Sequence, residues 1–100
     1  MRRLLILLLC LPTLVQAQAP AKPAKLGQCV ACHGENGRSR VPGTPHLAGQ
    51  DETYLGAAMA AYRTGTRRAA PMNSIANTLQ PRDGAALARW YARQPAGGSR

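Results

Sequence analysis

The chain has no phenylalanine, and its four aromatic residues are Tyr54, Tyr62, Trp90 and Tyr91. That is too little aromatic volume for an ordinary core, because these side chains dominate core energetics. Acidic residues are equally scarce: 4 Asp+Glu stand against 13 Lys+Arg, a formal charge of +9. No segment shows the period-two alternation or β-branched enrichment of a strand, and no internal repeat is visible. Three cysteines do not make a disulfide scaffold. At 100 residues there is room for one small domain. A Rossmann unit with a substrate domain, or a barrel enzyme, is excluded by size. A domain this small is marginally stable on its side chains alone, so these shortages leave room for something else at its centre.

The first segment reads as an exported leader. Met1-Arg2-Arg3 is a positive n-region, and Leu4 to Val15 is an apolar run interrupted by Pro12 and Thr13. Val15-Gln16-Ala17 places small residues where signal peptidase reads them, so residues 1–17 form a signal peptide cut before Gln18. The run is shorter than the roughly 20 residues that span a bilayer, so no stable span is expected after cleavage. Leu9 stands before Cys10 where a lipoprotein signal wants a small residue. Removing 17 residues leaves 83, and losing Arg2 and Arg3 brings the charge from +9 to +7. Residues 18–23 read as a flexible Pro/Ala-rich arm, 24–95 as one domain and 96–100 as a flexible tail.

Within that domain the signals are helical. A short helix is expected from Ala24 to Cys32, after Pro23. Four glycines and two prolines make residues 34–50 a loop. Asp51 is a good N-cap for a helix from Glu52 to Thr64, with Gly65 at the position a C-terminal glycine takes. Tyr54, Leu55, Ala58, Met59 and Tyr62 share one face of it. A brief helical turn is expected through Ile75 and Ala76. Pro81 suits the first position of a last helix, whose apolar face is Leu87, Trp90 and Tyr91 and which Pro95 stops. The fold class is all-α.

Cys29-Val30-Ala31-Cys32-His33 is a C-x-x-C-H sequence, the attachment signature of c-type haem. On a helical turn both thiols lie on one side, where each can add to a haem vinyl group, and the adjacent histidine reaches the iron. A zinc site needs four ligands, and only His46 remains as a further one of the usual type. A thioredoxin-like pair needs a βαβ context that is missing; the leader, the absence of a leftover cysteine after its removal and the all-α pattern favour haem over a bare disulfide. The iron then needs a sixth ligand or an open site. Candidates are Met72, Met59 and His46. Met59 lies on an apolar helix face, where methionine is usually core packing. Met72 follows Pro71 in an irregular approach segment, 39 residues after His33. A loop residue is free to point inward at the iron, which favours Met72.

At this point the chain resembles the class I cytochromes c of bacterial periplasms, over about residues 24–94. Cys29 to Gly37 matches C-x-x-C-H-G-x-x-G, and Pro45-His46-Leu47-Ala48-Gly49-Gln50 resembles the segment that follows. Tyr62 to Arg67 resembles the exit of the middle helix, Ala70 to Ala76 the methionine-ligand segment, and Trp90 to Gln94 the end of the last helix. The resemblance implies a small cytochrome c fold, about four short helices and loops wrapped around one covalently attached haem c, bound through Cys29 and Cys32. His33 and Met72 would be the axial ligands. The carbonyl of Pro45 would accept a hydrogen bond from His33, Leu47 would pack on the haem, and His46 would be an ordinary loop residue. Trp90 and Tyr91 would pack where the first and last helices cross, near Gly27, and Arg67 or Arg68 would pair with a haem propionate. Two departures stand out: the first helix is stubby, and Gln80-Pro81-Arg82-Asp83 leaves a poorer N-cap than the usual serine-led start.

The function implied is a periplasmic carrier of single electrons rather than an enzyme. Its alternatives are a haem subunit of a larger dehydrogenase, or a haem protein with an open sixth site acting as gas sensor or peroxidase. The run from Tyr62 to Ala76 looks most like the small haem subunits that pair with a flavoprotein, as in flavocytochrome c sulfide dehydrogenase, and less like half of a dihaem carrier. The excess of positive charge points to redox partners with acidic docking surfaces, such as a flavoprotein dehydrogenase or a terminal oxidase. Export and scattered basic residues argue against nucleic acid.

Overall fold

A computed structural model describes residues 2–15 and 21–97. The expected cleavage point, part of the Pro/Ala arm and the end of the tail lie outside the described residues. Residues 2–15 form neither helix nor strand and are exposed throughout. The domain consists of α1 (Gly27–His33), α2 (Glu52–Thr64), α3 (Met72–Asn77) and α4 (Pro81–Ala92), with no strand among the described residues.

Local chemistry explains most boundaries. The Asp51 carboxylate accepts from the Tyr54 N–H at 2.8 Å and starts α2. Gly65, at φ +81°, ends α2 in the left-handed conformation. α4 starts better than its sequence suggested: the Asp83 carboxylate reaches back to the Gln80 N–H at 3.0 Å, so the aspartate satisfies a donor at the helix entrance. α4 ends at Ala92, before Pro95, because the residue preceding a proline is pushed out of the helical region. α1 is shorter than expected at its N-terminus. Ala24 to Leu26 form a tighter turn in which Leu26 N–H bonds the Pro23 carbonyl at 3.1 Å.

α2 packs on both α3 and α4. α4 turns Gly84, Leu87, Ala88 and Tyr91 inward at helical spacing. With Leu26, Leu55 and Leu79 the last three make a small core, against which Cys29, Leu47, Met59 and Trp90 pack. The apolar face of α2 behaves differently. Leu55 is buried, but Ala58, Met59 and Tyr62 are only partly covered and Tyr54 is exposed. That face looks across a cavity rather than onto another helix.

Tyr91 and Trp90 pack in one cluster with Leu26 and Cys29, the residues on either side of the start of α1, although an added Cβ at Gly27 itself would touch nothing within 4 Å. They also hold the loop after α1. Trp90 Nε1 donates to the Glu35 carbonyl at 2.7 Å, and the Tyr91 hydroxyl donates to the Gly34 carbonyl at 2.8 Å. The loop's far end is tied to the same helix, since Gly49 N–H donates to the Tyr91 carbonyl at 3.0 Å. Between these anchors the Gly37 carbonyl accepts from Leu47 N–H at 2.7 Å and Ala48 N–H at 3.1 Å. Gly37 sits at φ +80°, and a Cβ there would lie 2.6 Å from Ala48 N and 2.9 Å from Tyr91 Cδ1.

Gly37→Ala therefore combines a left-handed backbone with a clash against main chain. It should cost at least about 2 kcal/mol of stability. Gly43, at φ +81° with nothing within 4 Å of an added Cβ, should cost only about 1 kcal/mol as alanine. Denaturant titration of the two variants checks the difference.

Candidate haem site

α1 carries Cys29, Cys32 and His33 at one end of the cavity. Cys29 is half-buried against the core, Cys32 is exposed and His33 is 8% exposed. His33 Nδ1 lies 3.0 Å from the Pro45 carbonyl oxygen. A carbonyl only accepts, so the proton of this ring sits on Nδ1 and leaves the Nε2 lone pair free for a metal. His46 has the opposite arrangement. Its Nδ1 accepts from the Ser39 N–H at 2.8 Å, which places its ring proton on Nε2.

The cavity, about 280 Å³, gathers the six residues singled out from sequence: Cys29, Cys32, His33, Pro45, Leu47 and Met72. Its other walls are the apolar face of α2, with Ile75, Leu87 and Tyr91. Burial pushes the Cys29 thiol above its usual range. Burial, and then the neighbouring Cys29, push the Tyr91 phenol up as well. These shifts mark a low-dielectric interior. A second groove, about 490 Å³, runs beside α1 and is lined by Cys32, Glu35, Arg38, Arg40 and Trp90 among others, but by neither His33 nor any methionine. Volume alone does not locate the chemistry; the set of donors does.

The candidates for a sixth ligand all reach the cavity wall. Met59 packs against the core cluster, and His46 is engaged by Ser39. Met72 is half-buried at the cavity. It is not a loop residue, contrary to expectation: it is the first residue of α3. Asn73 explains why. Its side-chain oxygen accepts from the Ala69 N–H at 2.9 Å, and its Nδ2 donates to the carbonyls of Tyr62 and Arg67, each at 2.8 Å. These bonds fasten the approach segment to the end of α2 and allow the helix to begin at residue 72. Sequence reasoning gave Asn73 no role; its position directly after the methionine was the only local hint.

At the cavity rim Arg67 donates to the Tyr54 hydroxyl at 3.3 Å, and its guanidinium stands 4.8 Å from the Tyr62 ring centroid. Arg67 lines the cavity and Arg68 does not.

Comparison with protein families matches residues 18–93 to cytochrome c. The chain belongs to the cytochrome c family. It is a class I c-type cytochrome, its cofactor is covalently bound haem c, and its function is electron transfer. Cytochrome c-554(548) of Halomonas halodenitrificans is 43% identical over 79 residues, 76% of this chain and 95% of that protein. A cytochrome c4 of Pseudomonas aeruginosa is 40% identical over 76 residues, 76% of this chain but 38% of that protein. A thiosulfate dehydrogenase electron acceptor of Stutzerimonas stutzeri is 41% identical over 68 residues, 65% of this chain and 32% of that protein. The cytochrome thus spans nearly all of the first relative and little more than a third of the second. The cavity fits a haem: two thiols and an imidazole with a free Nε2 enter from α1, a thioether stands in the wall, and the remaining lining is largely apolar.

Replacing Asn73 with alanine removes one acceptor and two donations at once. The loss should be about 1–3 kcal/mol, read by chemical denaturation of the haem-loaded cytochrome.

Proposed function

We propose that this cytochrome is an exported, periplasmic carrier of single electrons whose iron is held by His33 and Met72. The observation that carries the reading is the His33–Pro45 bond, which presents Nε2 of a buried imidazole to an apolar cavity. Cys29 and Cys32 would fix the macrocycle covalently, and Leu47 would pack against it. Bound there, the haem iron supplies a one-electron ferric/ferrous couple. The chain's own part is to fix both axial groups, exclude water and leave an edge near the surface at Cys32. Met72 is favoured as the sixth ligand because Met59 is committed to the core and both nitrogens of His46 are unsuited: one accepts from Ser39, the other carries the proton. Thioether ligation favours ferrous iron and raises the potential. The leader-like residues 1–17 support export, and no helix among the described residues is long and apolar enough to cross a membrane.

A second reading, acceptor for a dehydrogenase, is favoured by the relatives named thiosulfate dehydrogenase electron acceptor. A flavoprotein partner belongs to the same class. Both readings place the electron donor on a protein surface, and the charge of the chain suits an acidic one.

Haem staining of the denatured protein should show covalent colour. Met72→Ala should then lower the reduction potential and admit added ligands, while Met59→Ala should leave the ligation unchanged; the reverse result would reassign the sulfur. Electron-transfer rates with an acidic partner should fall as ionic strength rises. A flat or rising rate removes electrostatic docking.

A further inference from the structure

Ser39 lies in the middle of the loop between α1 and α2 and is the most heavily bonded residue in it. Its hydroxyl donates to the Cys32 carbonyl at 2.7 Å and accepts from the Val41 N–H at 3.1 Å. Its own N–H donates to His46 Nδ1 at 2.8 Å. One residue therefore joins the last turn of α1 to the far limb of the loop. Between Ser39 and His46 the chain reverses, with Thr44 N–H bonded to the Val41 carbonyl at 3.1 Å. The pair closes the base of that reversal.

The peptide just inside this closure is Pro45–His46, whose carbonyl accepts from His33. On one side its plane follows from the turn at residues 41–44. On the other it follows from the orientation of His46, which the Ser39 N–H fixes through the imidazole. Leu47, bonded to the Gly37 carbonyl, anchors the next residue but not the plane itself. We propose that Ser39 and His46 form a clasp that positions the Pro45 carbonyl, and through it His33. They are positioning residues: neither occupies a place at the iron.

The inference rests on the reading of His33 as an axial ligand. A carbonyl that accepts from the distal ring N–H makes the imidazole a stronger donor and fixes its rotation. A loosened clasp weakens that bond, makes His33 a poorer donor to ferric iron and raises the reduction potential. His46 thus has a role that its exposed position conceals.

The test uses the haem-loaded protein and four variants. Ser39→Ala removes the hydroxyl, and Ser39→Thr keeps it. His46→Leu removes the acceptor, and His46→Asn places a side-chain oxygen where Nδ1 stood. Ser39→Ala and His46→Leu should raise the potential, and His46→Leu should speed hydrogen exchange of the residue 39 amide. Ser39→Thr and His46→Asn should stay close to the wild-type potential. Loss of thermal stability in Ser39→Ala and His46→Leu at an unchanged potential would overturn the proposal, as would an equal shift in all four variants. The ligand reading fails separately: an unchanged haem spectrum in His33→Ala would remove His33 from the iron and the clasp's purpose with it.

Discussion

The fold around the cavity decides where one proton sits. Pro45 offers a carbonyl to His33 at 3.0 Å, and a carbonyl has no proton to give. The imidazole is therefore held as the Nδ1–H tautomer with Nε2 bare. Every neighbouring feature serves to bring Pro45 there. The chain leaves α1 at Gly34, runs out to Ser39, reverses before Thr44 and returns along the Gly37 carbonyl. α4 holds both ends of this excursion through Trp90 and Tyr91. A loop with little regular structure is thus kept in register by a helix that lies far from it in sequence.

The shortage of aromatic residues acquires a meaning from this arrangement. Trp90 is used to hold the loop, and Tyr54, Tyr62 and Tyr91 line the cavity. The protein-only core is a handful of leucines with Ala88 and Tyr91. An amphipathic helix must bury its apolar stripe somewhere, and α2 turns much of its stripe toward the cavity. A haem bound in that cavity would be a structural partner for α2 as much as a redox group.

Much of this was legible because it is written locally. Asp51, Gly65 and Pro81 mark helix ends through their own backbone and side-chain preferences, so α2 and the start of α4 read directly. The spacing of Cys29, Cys32 and His33 is likewise local, since one helical turn gathers all three. What did not read is non-local or reciprocal. α3 begins at Met72 because Asn73 bonds to residues of α2 and the following turn, which no window around residue 72 contains. Asp83 completes the entrance to α4 by reaching back, where a poor cap was expected from Gln80. The aromatic pair was expected to pack near the start of α1, but nothing local announced that it also bonds the carbonyls of Gly34 and Glu35. Ser39 looked like one polar residue in a loop, and only the folded chain shows its partners seven residues away on either side.

The four carboxylates have all been assigned work inside the molecule. Glu35 pairs with Lys22, Glu52 with Arg89, Asp51 caps α2 and Asp83 caps α4. None is left free on the surface to complement the remaining cations of a neighbouring copy. The excess of positive charge sets like copies against each other, a repulsion that salt screens.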